Sequence, residues 1–136
     1  MSITRTAGYS LMLITLMAPA VHADDPCLGD DEKKAALARS AALQKAEQGG
    51  QSAALFDAYL WIVADDCMDR YDKNAVSRAK ANITKLGRDL AKAAETKGAL
   101  YADDPRQPDG QATAFRYYEA IGDHQEANRV LVKAVQ

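Results

Sequence analysis

The sequence has 136 residues, of which 48% are hydrophobic and 26% are charged, and its 17 basic and 19 acidic side chains give a net charge of −2. This length fits one domain, and the near balance of charge gives no reason to expect a nucleic-acid or membrane-surface partner. Two cysteines and two histidines are too few for a cysteine-only zinc site or a histidine-rich catalytic cluster.

Residues 1–23 have the layout of a secretory signal peptide. They contain a basic residue, an apolar run, a helix breaker and small residues before a cleavage site: Arg5, 11–17, Pro19, Val21 and Ala23. A transmembrane anchor is the alternative, but the apolar run is shorter than the roughly 20 residues that span a bilayer. Cleavage after Ala20 is an alternative position. We therefore expect a periplasmic or secreted chain, a single helical domain over 24–136, with no lipid or membrane anchor.

Two helices, about 32–48 and 51–66, are predicted on either side of Gly49-Gly50. Asp30 or Asp31 is the expected N-cap of the first helix. Its apolar positions follow helical spacing: Ala36, Leu37, Ser40, Ala41, Leu43 and Ala46. The second helix is apolar nearly all round and is interrupted only by Asp57, so we expect it to be central and buried.

The two cysteines, Cys27 and Cys67, are expected to form a disulfide, since an exported protein meets an oxidising compartment. The short Gly-Gly turn makes the two helices antiparallel neighbours. The start of the first helix then lies beside the end of the second, where the cysteines sit. Such a bridge stabilises the fold by roughly 4 kcal/mol through loop-closure entropy. The alternatives are two free thiols or a redox pair, although the C-x-x-C spacing of redox pairs is absent.

A long third helix is predicted over about 74–97, beginning at Asp72 or Asn74 and ending at Gly98. Its apolar stripe has spacings of three and four residues, typical of packing along a neighbouring helix, and consists of Val76, Ala79, Ile83, Leu86, Leu90 and Ala93. Gly87 lies off this stripe. Residues 103–110, rich in aspartate, proline and glycine, predict a loop.

Two further helices complete an all-α architecture of about five helices. The fourth covers about 111–121, with Ala112, Phe115, Tyr118 and Ile121 expected inward, and Gly122 ends it. Asp123 is the expected cap of the fifth, with Glu126 three residues later as in a capping box. The inner stripe of the fifth helix is expected to be Ala127, Val130, Leu131 and Ala134.

The C-terminal hairpin resembles the tetratricopeptide repeat (TPR), a helix-turn-helix unit. The resemblance lies in an aromatic on the first helix, a Gly-Asp turn and small or apolar residues on the second: Tyr118, Gly122, Asp123, Ala127, Leu131 and Ala134. It covers about 25 residues, and three stacked repeats, which a true array needs, are not found. The resemblance implies a TPR-like helical protein that binds a partner rather than catalysing a reaction.

No catalytic or cofactor site is expected. The expected mature chain has one histidine, His124, predicted to lie on the surface without a nucleophile beside it. The sequence contains no phosphate-binding loop and no nucleophile elbow. Acidic residues flank both cysteines, and a weak calcium site is the alternative to helix caps and solvated surface; they are Asp24, Asp25, Asp30, Asp31, Glu32, Asp65, Asp66, Asp69 and Asp72.

Charge differs between the two halves. Residues 24–72 carry 5 basic and 11 acidic side chains, whereas residues 73–136 carry 11 basic and 8 acidic ones. A solvated helix face explains this distribution, and a dipolar surface that steers a partner is the alternative. No nucleic-acid partner is expected, because the expected mature charge is negative and no aromatics alternate with the lysines.

These observations predict a small exported helical module that binds a protein or peptide partner. The alternative is an immunity or inhibitor protein that neutralises a toxin or an envelope hydrolase. The expected partner contacts lie off the inner stripes or in the loop, at Arg88, Arg116, Tyr117, Asp103, Asp104 and Arg106. The oligomeric state is left open.

Overall fold

The computed structural model describes residues 25–100 and 110–134, and within these ranges it has six helices and no strand. The helices are α1 (Asp30–Gly49), α2 (Ser52–Ala64), α3 (Met68–Tyr71), α4 (Lys73–Leu100), α5 (Gly110–Ala120) and α6 (His124–Ala134). The all-α prediction is confirmed. The expected leader, 1–23, and residues 103–109 of the predicted loop lie outside the described residues, whereas Gly110, predicted in that loop, is the first residue of α5.

The α1–α2 hairpin turns at Gly50, as predicted, with φ at +66°. This left-handed conformation is one that glycine adopts without steric cost. The start of α1 differs from the expectation, because Gly29, not Asp30 or Asp31, is the N-cap. Both aspartates instead lie in the first helical turn, where negative charge interacts favourably with the helix dipole.

The predicted disulfide between Cys27 and Cys67 is present, with the two Cα atoms 5.2 Å apart. An aspartate lies two residues before each cysteine. The Asp25 carboxylate accepts a hydrogen bond from the Cys27 N–H at 2.9 Å, and the Asp65 carboxylate accepts one from the Cys67 N–H at 2.9 Å. Each aspartate thus holds a local turn that presents its cysteine to the other.

The short helix α3, which was not predicted, connects the disulfide to α4. It buries Met68 completely, and it ends at Asp72, whose carboxylate accepts a hydrogen bond from the Ala75 N–H at 2.9 Å. This bond is the main cause of a lowered pKa for Asp72. Of the two starts predicted for the long helix, Asp72 and Asn74, the structure therefore has Asp72 as the cap.

The two halves of helix α4 pack in two different cores. Its first half contributes Ala75, Val76, Ala79 and Ile83 to a core with α1 and α2, and its second half contributes Ala91 and Ala94 to a core with α5 and α6. The helix continues past Gly98 to Leu100, so the expected end at Gly98 is wrong.

The buried stripe of α4 departs from the expected one after Ile83. Leu86 and Leu90 are only half-buried and Ala93 is exposed, whereas Ala91 and Ala94 are buried. The helices that cover α4 change along its length, because its first half packs in the core with α1 and α2 and its second half in the core with α5 and α6. The buried positions after Ile83 therefore lie about one residue beyond the expected stripe.

Gly87 lies in a packed interface, whereas the sequence pattern placed it off the apolar stripe. A Cβ atom there would lie 2.5 Å from Ile121 Cγ2 and 2.8 Å from Phe56 Cε2. Both distances are shorter than van der Waals contact, so α4 approaches α2 and the end of α5 closely only because residue 87 has no side chain.

The α5–α6 hairpin has the predicted Gly-Asp turn. Gly122 has φ at +75°, its N–H donates to the Glu119 carbonyl at 3.0 Å, and the Asp123 N–H donates to the Tyr118 carbonyl at 2.9 Å. This is a Schellman ending. The Asp123 carboxylate then accepts a hydrogen bond from the Glu126 N–H at 3.4 Å, which confirms Asp123 as the cap of α6.

The second core consists of Ala91, Ala94, Ala114, Tyr118, Ala127 and Val130. Three expected inner residues, Ala112, Leu131 and Ala134, are exposed, and Phe115 and Ile121 are half-buried. A two-helix hairpin leaves part of each apolar stripe uncovered when only one further helix packs on it. Membership of the TPR family stays a prediction.

Candidate functional site

Trp61 is the largest apolar side chain that the described part of the chain exposes, and 63% of its surface is accessible. The expectation of an α2 buried all round is wrong. Helix α2 buries Phe56, Tyr59 and Ile62, which are spaced three residues apart and therefore share one face. Trp61 lies on the opposite side of the helix, away from α4.

A shallow groove runs along the outside of the α1–α2 hairpin. Its floor consists of small side chains at i, i+4 spacing on each helix: Ala42 and Ala46 on α1, and Ala54 and Ala58 on α2. Gly49 and Gln51 line the end at the turn, Lys45 and Asp57 are the charged residues of the lining, and Trp61 lies at the other end. The groove is open to solvent and has a volume of about 470 Å³.

Trp61 continues this groove toward the disulfide. The Arg39 guanidinium carbon lies 5.9 Å from the centroid of the indole ring, within the range of a cation–π contact. The same guanidinium forms an ion pair with the Asp65 carboxylate. A second depression, of about 360 Å³, lies between Trp61, Arg39 and the two bridged cysteines. Arg39 is thus held from two sides.

A third depression, of about 300 Å³, extends the same surface to the start of α1. It shares Arg39 and Asp65 with the second depression and adds Asp31, Glu32 and Ala35. We call the three together the outer groove. From Gly49 to Asp31 it follows α1 for about 27 Å. It is mainly apolar at the hairpin turn and acidic at the disulfide end.

Three of the acidic residues around the cysteines have identifiable structural roles. Asp25 pairs with Arg70 at 2.6 Å, Asp65 pairs with Arg39, and Asp72 caps α4. The described residues contain no group of three or more carboxylate, histidine or cysteine side chains placed to hold a metal ion. Asp24 lies outside the described range.

Of the six residues predicted to contact a partner, Arg88, Arg116 and Tyr117 lie within the described part of the chain. Tyr117 is half-buried and packs edge-on against Phe56, with ring centroids 5.0 Å apart, so its expected exposure is wrong. Arg88 forms an ion pair with Asp123 at 3.2 Å. Arg116 is exposed, and Asp103, Asp104 and Arg106 lie outside the described residues.

A network of charged hydrogen bonds joins α4 to α6 beside the second core. The Arg129 guanidinium donates to both carboxylate oxygens of Glu95, at 3.0 and 2.7 Å, and the Tyr118 hydroxyl donates to Glu95 at 3.0 Å. The bonds from Arg129 are the main cause of a lowered pKa for Glu95. Burial is the main cause of a raised pKa for Tyr118. The network fixes the position of α6 on α4.

His124 is exposed, as predicted. Its Nδ1 lies 2.9 Å from the Glu119 carboxylate, and this hydrogen bond raises the pKa of the imidazole. The contact joins the end of α5 to the start of α6 across the turn. The contact is a surface ion pair, because both side chains are exposed to solvent.

Comparison with known proteins gave no relative. No protein-family profile matches the chain, and no match was found among curated proteins or solved structures. Within the described residues, none of the six helices combines the length and the apolar character that crossing a membrane requires.

Proposed function

We propose that this protein is a small exported helical module that binds a partner protein through the outer groove of its α1–α2 hairpin. The observation that carries the proposal is the exposure of Trp61, 63% accessible, at the junction of the apolar and acidic parts of that groove. Tryptophan is the residue most typical of binding hot spots, and leaving it in water forgoes a large gain from burial.

The rigidity of the hairpin supports this proposal. The disulfide closes its open end, the Gly50 turn closes the other, and the Arg39–Asp65 ion pair connects α1 to the end of α2. A surface that is already ordered loses little conformational entropy when a partner binds. The groove can therefore present Trp61 and its alanine floor without rearrangement.

Export is part of the proposal and rests on two observations. Residues 1–23 have the pattern of a signal peptide, and the Cys27–Cys67 bond is of a kind that persists in oxidising compartments. An N-terminal sequence that begins after the leader would support it, and an intact Met1 on the protein from the cell envelope would contradict it.

The binding role is tested by photo-cross-linking in cells that express the protein. A benzophenone amino acid is placed at position 61 and, as a control, at the exposed position Gln125 on α6. We expect position 61 to capture a discrete partner that position 125 does not, and the purified partner to bind Trp61→Ala more weakly. Equal capture from both positions, or no specific product, would contradict the proposal.

The effect of this protein on the activity of the captured partner distinguishes a binding module from an inhibitor. If the captured protein is a toxin or hydrolase, an inhibitor abolishes its activity when the two are mixed at near-equal amounts. A module that only assembles proteins leaves that activity unchanged at saturation.

A further inference from the structure

We infer that the outer groove receives one helix of the partner, with small or apolar residues over the alanine floor and lysine or arginine side chains at the disulfide end. This inference rests on the proposed function and specifies the chemistry of the partner. Three features of the groove point to this occupant: the shape of its floor, its length and the charges at one end.

The floor favours a helix. Ala42 and Ala46 on α1 face the groove beside Ala54 and Ala58 on the antiparallel α2, so two rows at i, i+4 spacing border one channel. Helices pack by placing the ridge of one between such rows on its neighbours. Alanine side chains allow the axes to approach to about 8 Å, the short end of the usual range. This is the helix-in-groove mode of recognition.

The length of the groove agrees with this occupant. About 27 Å of groove corresponds to roughly 18 residues, or five turns, of a partner helix lying along α1. Trp61 stands at the middle of this length, between the alanine floor and the disulfide. A helix of this length would cover the indole face that Arg39 leaves open and would remove Trp61 from water.

The charges at the disulfide end determine which helix fits. Asp31, Glu32 and Asp66 are exposed and line this end. Among the residues that line this end, Arg39 is the one cation, and it is already engaged by Asp65 and by the ring of Trp61. The uncompensated charge is therefore negative, and a basic partner end is attracted whereas an acidic one is repelled. Guanidinium groups also suit the indole and carboxylate surfaces found here.

The experiment uses the native fluorescence of the protein, because Trp61 is the single tryptophan in the sequence. The probes are helical peptides of about 18 residues without tryptophan that carry an apolar stripe and three arginines at one end, made with the arginines at either terminus. Companion peptides carry glutamates in place of the arginines. We expect a saturable blue shift of Trp61 emission with one arginine peptide, and at least about tenfold weaker binding of its glutamate companion at low salt.

Two matched pairs of variants locate the binding. Ala54→Arg places bulk and positive charge in the groove, whereas Ala53→Arg places the same side chain at an exposed position of the same helix turn that does not line it. Asp66→Asn removes a groove carboxylate, and Asp69→Asn removes an exposed one on α3. We expect Ala54→Arg to abolish the shift, Asp66→Asn to weaken binding about two- to fivefold, and both controls to bind as the wild type does.

Three results would overturn the inference. They are an emission unchanged by every arginine peptide, equal effects of Ala54→Arg and Ala53→Arg, and a dimer of the protein alone that Ala54→Arg dissociates, because the groove would then be occupied by a second copy. Failure of the proposed function is distinguishable. A cross-linked partner that binds the Ala54→Arg variant normally contradicts the inference alone, whereas peptide binding without any cross-linked partner contradicts the proposed function alone.

Discussion

Replacing Gly87 by alanine is expected to destabilise the protein, although the same change in an exposed helix stabilises. Alanine is favoured over glycine within a helix by about 1 kcal/mol. At position 87, however, the new Cβ would lie 2.5 Å from Ile121 Cγ2 and 2.8 Å from Phe56 Cε2. These atoms belong to a β-branched side chain and to a buried ring, so neither can move away freely.

The size of the loss follows from these two distances. Overpacking a core costs about 1–3 kcal/mol, and two contacts that fall roughly 1 Å short of ordinary van der Waals separation belong at the upper end of that range. Subtracting the gain in helix propensity leaves a net loss of about 2 kcal/mol in the free energy of unfolding. Gly49 provides the control, since it lies in the last turn of α1 and a Cβ there would meet no atom within 4 Å.

The assay is urea unfolding of the oxidised protein, followed by circular dichroism at 222 nm. We expect Gly87→Ala to lower the midpoint and Gly49→Ala to leave it unchanged or raise it. If Gly87→Ala is as stable as the wild type, or more stable, then α4 does not approach α2 and Ile121 as closely as described and the packing argument is wrong.

Three further predictions concern the disulfide, the charged network around Glu95 and the exposed tryptophan. Reduction of the disulfide, which closes a loop with a sequence separation of 40, should lower the free energy of unfolding by roughly 4 kcal/mol, and urea curves with and without a reductant would show this. Glu95→Gln should cost about 1–2 kcal/mol at neutral pH, because charged hydrogen bonds contribute about 1.5–3 kcal/mol and Arg129 is 37% exposed. The folded-state pKa of Glu95 is lowered. The stability that the Glu95 carboxylate contributes is therefore present above the pKa of an unfolded glutamate and is lost as the pH falls through the folded-state pKa. Because Glu95→Gln has no such carboxylate, the variant should lose less stability on acidification than the wild type does. Trp61→Ala should cost less than about 1 kcal/mol, whereas Phe56→Ala, at a position 2% exposed, should cost about 3–5 kcal/mol; equal losses would mean that Trp61 belongs to the core.

The elements of the fold were largely predictable because their signals are local. Gly50 and Gly122 mark turns through backbone conformations that depend on one residue, and Asp72 and Asp123 mark helix starts through bonds that span three residues. The short helix α3 was missed because one turn carries no periodicity. Its place is set by the disulfide before it and by the burial of Met68.

The candidate site was not predictable in the same way. Helix α2 contains so many apolar residues that its composition cannot tell which face is covered, and only the packing of α4 on Phe56, Tyr59 and Ile62 leaves Trp61 outside. Tyr117 was expected on the surface because it lies off the stripe of its own helix. It is half-buried because Phe56, on a different helix, packs against its ring.

The sequence by itself determined the class of fold and its covalent constraint. The helix periods, the Gly-Gly turn and the compartment expected from the signal-peptide pattern of residues 1–23 were enough to predict an all-α protein in which Cys27 and Cys67 meet. Only the tertiary structure decided which apolar residues are buried and which remain in water, because burial depends on the neighbouring helices and not on the residue alone. Gly87 was predicted to lie off the apolar stripe but is a point of close contact, and Trp61 was predicted to lie in the core but is on the surface. Both differences follow from how α4 lies against α2.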